Sequence, residues 1–472
     1  MNLSAYLEHP IFKTVGQVAD QNQMEAYVVG GFVRDLLLKR GGKDIDFVCV
    51  GSGIALAEKT AAAIHPKIKV NVFKNFGTAH FAHNGWDFEF VGARKESYQR
   101  HSRNPIVEEG TLQDDQNRRD FTINAMAISL NEANYGALID PFNGLEDIGY
   151  EVIKTPLDPD ITFSDDPLRM MRAIRFATQL NFYIEEKTLE AITRNRERIR
   201  IISQERITDE LNKIILSKKP SVGFRLLEET GLLPLIFPEM QALKGVQTVD
   251  DKSHKDNFYH TLQVLDNICL TSKDLWVRWA AILHDIAKPV TKRFEPGTGW
   301  TFHGHEVVGS KWVPRIFRQL KLPQGHEMKL VQKLVYLHLR PIALSKEEIS
   351  DAALRRLLFE AGDDLEALMT LCEADITSKN KVKVTRFLKN FEIVRQKLKD
   401  VEERDSIRNF QPPVSGELIM QTFGIGPSRE VGLIKDRIKE AILEGEIKND
   451  YYEAHALMMK LGAELGLKQV SG

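Results

Sequence analysis

Residues 26–48 read AYVVGGFVRDLLLKRGGKDIDFV and contain the pattern that decides the fold of the first part of the chain. A β-type run ends in Gly30 and Gly31 and is followed by FVRDLLL, which predicts a helix, and then by a second β-type run that begins at Asp44. Glycines let a backbone approach a phosphate closely, and Arg34 in the first turn adds a charge-assisted bond. A tight turn alone would explain the glycine pair, but the full order of strand, glycines, helix and strand favours a phosphate site.

Two carboxylates, Asp44 and Asp46, stand two residues apart in the second strand. The period of two in a strand directs both side chains to one face. Magnesium binds few protein carboxylates and keeps positions for water and substrate phosphates, so the pair suits nucleotide chemistry. An isolated D-x-D is more often a surface pair, and the preceding glycine turn is what favours a metal site here. Glu89, in WDFEFVGAR, is the best candidate for a third carboxylate, with Asp87 on the same face.

The chain changes character after this head. Strand and helix signals alternate up to about residue 157, and apolar residues at helical spacing dominate afterwards, with breaks at 244–256 and 408–416. We therefore predict an α+β protein in four parts. They are a mixed-sheet head at 1–157, a helical neck at 158–245, a helical middle block at 246–400 and a helical tail at 401–472.

Composition limits the class of protein. With 43% hydrophobic and 28% charged residues, no apolar run long enough to cross a bilayer and a polar start, the chain is expected to be cytoplasmic and to have no membrane partner. A net charge of −2 confines any RNA-binding surface to a local patch such as RNRERIRI (194–201), although a solvated helix end explains that run equally well. Cys49, Cys269 and Cys372 fit reduced core thiols.

Two further strings lie beyond the carboxylates. RRDFTINAMA (118–127), taken alone, predicts a helix start that is capped by Asp120 or Thr122 and leaves Arg119 exposed. DDPLRMMRAIRFA (165–177) places three arginines on one broad side of a helix, where they seek anions or pair with acidic neighbours. These arginines are Arg169, Arg172 and Arg175.

Asp166 and Arg169 favour particular bases. Cytosine and adenine both present an amino donor beside a ring-nitrogen acceptor, so a carboxylate with a guanidinium can bond both. Guanine and uracil would leave buried groups unpaired, at about 1–3 kcal/mol each. The pair therefore predicts selection of C and A.

Histidines and aspartates in the middle block form a second candidate metal set. His260, the adjacent pair His284 and Asp285, and Asp375 follow one another in the order that resembles the HD superfamily of metal-dependent phosphohydrolases. Their mixed nitrogen and oxygen ligands accept Mn, Fe, Ni, Co or Mg. His303 and His338 are each interpreted as core residues. If His305 and His338 are also ligands, the site is binuclear.

Taken together, the motifs of the first 240 or so residues resemble those of the class II tRNA nucleotidyltransferases (CCA-adding enzymes) and bacterial poly(A) polymerases, within the DNA polymerase β-like nucleotidyltransferase superfamily. The resemblance implies a polymerase β-like head in which Asp44 and Asp46, assisted by Glu89, hold catalytic Mg²⁺. The family's E-D-x-x-R base-reading motif is D-D-x-x-R here, because Asp165 replaces the glutamate. The nucleotide-binding residues that it implies are Gly30, Gly31, Arg34, Arg119, Asp120, Asn124, Asp166, Arg169, Arg172 and Arg175.

The function that this resemblance implies is template-independent addition of CCA to the 3′ end of tRNA from CTP and ATP. Some members of the family carry an HD domain, as the middle block predicts. An enzyme that adds only A or only CC, or a poly(A) polymerase, would share the same head motifs. A different class of function is phosphohydrolysis by the HD block, with the head as an RNA-binding module. The sequence leaves the oligomeric state open.

Overall fold

A computed structural model of the protein describes residues 1–74, 77–97, 106–249, 252–345, 349–377 and 380–470. The chain forms two compact units, Met1–Pro238 and Glu239–Gly472, and each is described by itself. Asp250 and Asp251, part of the predicted break at 244–256, lie outside the described residues. Among the described helices, none has both the length and the apolar character needed to cross a membrane.

A seven-stranded mixed sheet organises the head. Its strands are β1 (Ala26–Val29), β2 (Asp44–Cys49), β3 (Asn71–Phe73), β4 (Thr78–His83), β5 (Trp86–Gly92), β8 (Ala127–Ser129) and β9 (Leu138–Ile139), and a separate antiparallel pair is formed by β6 (Arg94–Ser97) and β7 (Ile106–Glu109). The order across the large sheet is β3-β4-β5-β2-β1-β8-β9. Only the β2–β5 pair is parallel among the neighbours described in this sheet.

Helices cover one face of this sheet and leave part of the other open. The head helices are α1 (Pro10–Gln21), α2 (Gly31–Leu37), α3 (Gly53–Ile64), α4 (Leu112–Asn117) and α5 (Gly144–Gly149). Residues of α1 and α3 pack with the inward side chains of β2, such as Ile45 and Phe47, in a phenylalanine-rich core. Because side chains alternate along a strand, Asp44 and Asp46 lie on the opposite face with Val48.

The neck is helical, as predicted. It contains α6 (Pro159–Asp165), α7 (Leu168–Leu180), α8 (Glu186–Asn195), α9 (Gln204–Ile215), α10 (Pro220–Glu229), α11 (Leu233–Ile236) and α12 (Pro238–Gln241), with the short parallel strands β10 (Val152–Ile153) and β11 (Tyr183–Ile184). The apolar face of α7, including Met171 and Ile174, is buried, and α7 packs on α9 and α10. This packing leaves its arginine-bearing side for other contacts.

The second unit is also largely helical. Its helices are α13 (Asn257–Cys269), α14 (Leu275–Leu283), α15 (Lys288–Thr291), α16 (His305–Gln319), α17 (His326–Leu337), α18 (Leu339–Leu344), α19 (Asp351–Ala361), α20 (Leu365–Ala374), α21 (Lys381–Asp405), α22 (Gly416–Phe423), α23 (Arg429–Glu444) and α24 (Tyr451–Glu464). Two hairpins interrupt them, β12 (Thr248–Val249) with β13 (Lys252–Ser253), and β14 (Arg293–Glu295) with β15 (Gly299–Thr301). Helices α13, α14, α17 and α20 contact one another and form the frame of the HD cluster.

These elements confirm the predicted α+β fold class and refine its details. The short strand pairs β10–β11, β12–β13 and β14–β15 lie within the part predicted to be helical. Helix α21 runs across the predicted boundary between residues 400 and 401, whereas the break at 408–416 does separate α21 from α22. Cys49 and Cys372 are buried thiols, and Cys269 is half-buried.

Candidate active site

Three carboxylates lie together on the open face of the sheet. In the parallel register of β2 and β5, Asp46 is opposite Glu89 and Asp44 is opposite Asp87. Burial, followed by the negative charges of Glu89 and Asp44, raises the pKa of Asp46 to about 6, although the nearby Arg119 opposes the shift. Such crowding of negative charge is relieved by a cation, and a hard oxygen donor set fits a divalent ion such as magnesium. The predicted third carboxylate, Glu89, therefore lies beside the Asp pair.

The glycine turn brings the backbone close to this cluster. Gly30 has a φ of +73°, and a Cβ at this position would lie 3.1 Å from Arg119 Nη1 and 3.4 Å from Asp46 Oδ2. Residues with a side chain rarely adopt such a φ, and here the added atom would also press on the guanidinium. Glycine at position 30 thus leaves room for the Arg119 guanidinium and for Asp46 on either side of the turn, while Gly31 begins α2.

Asp120 joins the head to the neck through a buried polar network. Arg34 Nη1 donates to Asn124 Oδ1 at 2.8 Å, and Asn124 Nδ2 donates to Asp120 Oδ1 at 3.0 Å. Arg172 Nε, from α7, donates to Asp120 Oδ2 at 2.7 Å. Burial alone would raise the pKa of Asp120, but the Arg172 charge and these hydrogen bonds lower it to about 2.

The simpler interpretation of RRDFTINAMA as a helix start is therefore wrong. Thr122–Asn124 forms only a short 3-10 turn, which leads to strand β8 rather than to an α-helix. Asp120 is buried, and its carboxylate accepts hydrogen bonds from Arg172 and Asn124. Arg119, expected to be exposed, has a side chain that is only 17% exposed. The conformation of this segment is determined by tertiary ion pairs, which rules for local helix capping do not take into account.

Sequence reasoning missed Asp115, which holds the arginines of this segment. Arg119 Nε donates to Asp115 Oδ2 at 3.0 Å, and Arg118 pairs with the other carboxylate oxygen. Asp115 is fully buried. Its spacing of three and four residues before two arginines was the signal that could have identified it.

The arginines of α7 lie on one side of the helix, as predicted, and each has a partner. Arg169 Nη2 donates to the backbone carbonyl of Arg118 at 2.6 Å, Arg172 pairs with Asp120, and Arg175 pairs with the buried Glu210 of α9. The sequence analysis did not identify Glu210 as the partner of Arg175, because nothing in its local sequence distinguishes it from acidic residues on the exposed faces of other helices. Arg169 is distinguished because its described partner is a neutral carbonyl.

Asp166 stands at the junction of α6 and α7, one helical turn from Arg169. Its Oδ1 accepts from the backbone N–H of Leu168 at 3.1 Å, and its Oδ2 lies 3.7 Å from Arg206 Nη2. The first contact orients the carboxylate, and the second leaves Oδ2 at ion-pair distance. Both members of the predicted base-reading pair lie at the start of α7, where the backbone N–H of Arg169 donates to the carbonyl of Asp166 at 3.0 Å.

In the second unit, the predicted HD residues converge. His260 Nε2 lies 2.9 Å from Asp375 Oδ1 and 3.4 Å from Asp285 Oδ2, and His284 Nε2 lies 3.2 Å from the same Asp285 oxygen. His305 Nε2 lies 3.2 Å from Asp285 Oδ1 and 3.3 Å from His338 Nε2. Two ligand groups result that share Asp285, and in each the donor atoms lie within 4.8 Å of one another.

The other ring nitrogens fix the orientation of these histidines. The Nδ1 atoms of His284, His305 and His338 each contact a backbone carbonyl at 2.7 Å, so that Nδ1–H donates there and Nε2 is the atom that each ring presents to the cluster. His284 Nε2 is buried and makes no hydrogen bond with any residue in the described part of the chain. This donor set fits one or two divalent metal ions. His338, interpreted from sequence as a core residue, is buried but belongs to the cluster.

The charges around the cluster favour a cation. Burial would lower the pKa of His284, but the negative charge of Asp285 and Asp375 raises it to about 10. Two lysines missed by sequence reasoning border the site. Lys288 Nζ lies 2.7 Å from Asp285 Oδ2, and Lys255 Nζ lies 3.0 Å from His260 Nδ1.

Two other sequence features lie outside both sites. The interpretation of His303 as a core residue is wrong, because its side chain is 84% exposed and lies 4.0 Å from Glu295 on the surface. In RNRERIRI, Arg194 pairs with Asp160 and Arg200 with Glu197, so that part of the run forms local surface ion pairs. Such pairs are typical of a solvated helix end.

Comparison with known families matches three segments of the chain. Residues 26–154 match the poly A polymerase head domain, residues 181–244 match the probable RNA and SrmB-binding site of polymerase A, and residues 257–380 match the HD domain. Nucleotidyltransferase and HD domains generally use divalent metal ions. The head and HD domain expected from the sequence are thereby confirmed.

Whole-chain comparisons give the same family. The A-adding tRNA nucleotidyltransferase of Deinococcus radiodurans is 32% identical over 365 residues, which are 75% of this chain and 80% of the relative. The multifunctional CCA protein of Nitrosococcus oceani is 34% identical over 367 residues, 75% of this chain and 84% of the relative. The Bacillus stearothermophilus CCA-adding enzyme in complex with CTP shares the fold, with a TM-score of 0.68, 24% identity and coverage of 97% of this chain and 99% of that chain. With these relatives matched over most of their length, the chain belongs to the tRNA nucleotidyltransferase family.

Proposed function

We propose that this protein adds C and A to the 3′ end of tRNA, completing CCA from CTP and ATP with release of pyrophosphate and without a nucleic-acid template. One observation carries the proposal. Arg169, the candidate base reader, donates to the carbonyl of Arg118, and the next residue, Arg119, is close enough to Asp46 for its charge to oppose the raised pKa of that carboxyl. Two consecutive residues, Arg118 and Arg119, therefore connect the candidate base reader with the catalytic carboxylates.

In this proposal, Asp44, Asp46 and Glu89 hold magnesium in the head. The metal supplies activation of the RNA 3′ hydroxyl and stabilisation of the leaving pyrophosphate. Arg119, with Arg34 and the Gly30–Gly31 backbone, receives the triphosphate. The crowding of carboxylates around Asp46 supports this assignment, because it favours a bound cation.

The neck residues select the base. Asp166 Oδ2 accepts from the exocyclic amino group of cytosine or adenine, and Arg169 donates to the adjacent ring nitrogen. Asp120 and Asn124 hold Arg172 and Arg34 in place, and Arg172 and Arg175 line the nucleotide. We also infer that the protein acts in the cytoplasm and that head, neck, HD block and tail are its four parts, with the last boundary at the break at 408–416 that separates α21 from α22.

The test is nucleotide incorporation into defined RNAs. We expect tRNA lacking its CCA end to gain two residues with CTP alone and three with CTP and ATP, and tRNA ending in CC to gain one A. Addition of A to the CC end without any addition of C would identify an A-adding enzyme instead, the activity named for the Deinococcus relative. Unlimited addition of A would identify a poly(A) polymerase.

A second activity is supported by the HD cluster. We propose that Asp285, His260, His284 and Asp375 hold one divalent ion, that Asp285 with His305 and His338 holds another, and that the site hydrolyses phosphate monoesters or cyclic phosphates. The carbonyl-fixed Nδ1 atoms support the assignment, because they turn Nε2 of His284 towards one oxygen of Asp285 and Nε2 of His305 and His338 towards the other. The names of the relatives describe nucleotide addition and do not favour the HD block as the principal activity.

Paired variants separate the two activities. Asp44→Ala with Asp46→Ala should abolish CTP incorporation and leave phosphatase activity towards p-nitrophenyl phosphate, measured with Mn²⁺, Ni²⁺, Co²⁺ or Mg²⁺. His284→Ala with Asp285→Ala should do the reverse. If the second pair abolished incorporation and the first did not, nucleotide addition by the head would be rejected.

A further inference from the structure

A small pocket lies close to the HD cluster and has no acidic residue among its described lining residues. It has a volume of about 240 Å³, and its lining consists of the loop 242–247 with His254, Asn257, Pro289 and Lys292. Asn257 begins α13 three residues before His260, so that about 4.5 Å of helix rise separates two positions on the same side of the helix. None of the cluster residues that the structure describes lines this pocket, which is therefore a separate space.

The loop that closes the pocket is fixed by hydrogen bonds to the residues before α13. The N–H of Gly245 donates to Asp256 Oδ2 at 2.9 Å, and the N–H of Gln247 donates to His254 Nε2 at 3.2 Å. His254 Nδ1 lies 2.8 Å from the carbonyl of Lys255, so that Nδ1–H donates there and the ring is held in one orientation. His254 is also buried. The wall of the pocket is therefore formed by a well-anchored segment.

Two side chains in this wall are available to a ligand. Lys292 Nζ lies 3.3 Å from the acceptor nitrogen of His254 and 5.0 Å from the centre of the Trp300 ring, and it has no carboxylate within ion-pair distance in the described part of the chain. Asn257 is only 6% exposed, and its amide makes no hydrogen bond with the residues that the structure describes. A buried amide without a partner is costly, and a ligand that supplies the missing hydrogen bond recovers that cost.

The chemistry of this wall fits a phosphate group. Lys292 and Lys244 supply positive charge, and the Asn257 amide supplies a neutral donor. The volume is below the range of sites that enclose a whole drug-sized ligand, so it suits a phosphate with part of its sugar better than an entire nucleotide. A ligand that reaches both this pocket and the HD cluster must therefore carry two phosphates.

We propose that the pocket binds a second phosphate group of the substrate of the HD cluster, which then acts on a nucleotide or RNA end with two neighbouring phosphates. The proposal rests on the phosphohydrolase activity proposed for this cluster. In that reaction water adds to the phosphorus of the other phosphate, the P–O ester bond breaks and the sugar oxygen takes a proton. Lys292 and Asn257 are positioning residues, since they hold the phosphate that is not cleaved.

The experiment compares uridine 3′,5′-bisphosphate with uridine 3′-monophosphate, which differ by one phosphate. Uridine is used because the head is proposed to select C and A. With Mn²⁺, we expect the KM for phosphate release to be about tenfold lower for the bisphosphate, the effect of one charge-assisted hydrogen bond. The kcat values should be similar, because the pocket does not hold the phosphate that is cleaved.

Three variants test the residues of the pocket. Lys292→Ala and Asn257→Asp should remove most of the difference in KM between the two nucleotides. Asn257→Asp keeps the size of the side chain and places a carboxylate in the first turn of α13, where helices favour it, so that a loss of binding reports repulsion of phosphate and not unfolding. Lys273→Ala alters an exposed lysine of the same unit outside the pocket, and it should keep the difference. Equal KM values for the two nucleotides in the unaltered protein would overturn the proposal and leave the hydrolase function intact.

Calorimetric titration in EDTA measures the pocket without catalysis. The bisphosphate should bind the unaltered protein and Lys273→Ala about tenfold more tightly than it binds Lys292→Ala or Asn257→Asp. Equal binding by all four proteins would overturn the proposal, and so would binding of inorganic phosphate as tight as that of the bisphosphate, which would identify a site for free phosphate. Differential binding without hydrolysis of either nucleotide would reject the proposed hydrolase function and, with it, the assignment of the pocket to a substrate phosphate.

Discussion

Asp46 carries a charge that its own surroundings disfavour. The difference between a pKa of about 6 and the ordinary value of 3.8 corresponds to about 3 kcal/mol. Between these two pH values the folded protein keeps a proton that the unfolded chain has released, so the free energy of unfolding falls as the pH rises from about 4 to about 6. Above pH 6 Asp46 is ionised in the folded protein, and the full destabilisation of about 3 kcal/mol is present.

Asp46→Asn should therefore stabilise the metal-free protein while it inactivates the enzyme. In EDTA at pH 7.5, we expect the free energy of unfolding to rise by about 2 to 3 kcal/mol, with the gain vanishing near pH 4. Nucleotide incorporation should fall by at least about 10²-fold, because the reacting groups lose their positioning. Urea titrations across this pH range and a CTP incorporation assay test both effects. Destabilisation of the variant at pH 7.5 would contradict the assigned cause.

Arg169 is the side chain that we propose to read the base. Arg169→Ala removes the donor to the ring nitrogen, so kcat/KM for CTP and for ATP should fall by about 10- to 100-fold, the cost of an unpaired buried group. The kcat/KM values for UTP and GTP should change much less, so that the preference of the enzyme for CTP and ATP over UTP and GTP becomes smaller. Arg194→Ala, which alters an exposed arginine of the neck, is the control and should leave all four values unchanged.

At the scale of elements, the contact between the 118–124 segment and α7 should be sensitive to one ion pair. Asp120→Ala leaves Arg172 beside a buried space without its partner, and we expect a loss of about 3 kcal/mol in the free energy of unfolding. Because the pKa of Asp120 is lowered to about 2, this contribution is present above about pH 4 and is lost as the pH falls towards 2. Denaturant midpoints measured from pH 7 down to pH 3 check the trend.

The neck provides a matched pair for comparison. Asp160 and Arg194 form a similar contact, at 2.9 Å, with both side chains about half-exposed. Asp160→Ala should therefore cost less than about 1 kcal/mol. Equal losses for the two variants would show that burial does not account for the importance of Asp120.

The elements also show how far the sequence could be interpreted. Strand periodicity predicted correctly that Asp44 and Asp46 would share a face, because alternation is a local property. The position of Glu89 opposite Asp46 depends on the pairing of β2 with β5, which alternation alone does not give. The helix with three arginines was also predicted. The acids that neutralise this region, Asp115 and Glu210, were not, since a buried acid and a surface acid look alike until the chain is folded. The same reason explains why Lys255 and Lys288 were missed at the HD cluster.

At the scale of the whole molecule, the chain divides into two compact units. The first contains the carboxylates proposed to hold magnesium, and the second contains the two ligand groups of the HD cluster. We expect divalent transition metals to stabilise the second unit specifically. Mn²⁺ or Ni²⁺ should raise the melting temperature of that unit by a few degrees, in proportion to the logarithm of the metal concentration above the dissociation constant. Asp285→Ala should remove most of this effect, because Asp285 belongs to both ligand groups.

Domain-resolved hydrogen exchange measures this stabilisation. Protection of α13 and α14 should increase with metal, and protection of α7 should not. Incorporation of CTP by His284→Ala should equal that of the unaltered protein, because the variant changes only the second unit. Loss of protection throughout the first unit on chelation of a transition metal would contradict this independence.

The HD cluster should tolerate the loss of a histidine better than the loss of Asp285. One of its oxygens faces His260 and His284, and the other faces His305 and His338. Loss of any single histidine would leave one ligand group complete, whereas loss of this carboxylate would dismantle both at once. Asp285 is therefore the one residue whose substitution removes a ligand from both metal groups. A single mutation at this codon would be enough to eliminate the second activity during evolution.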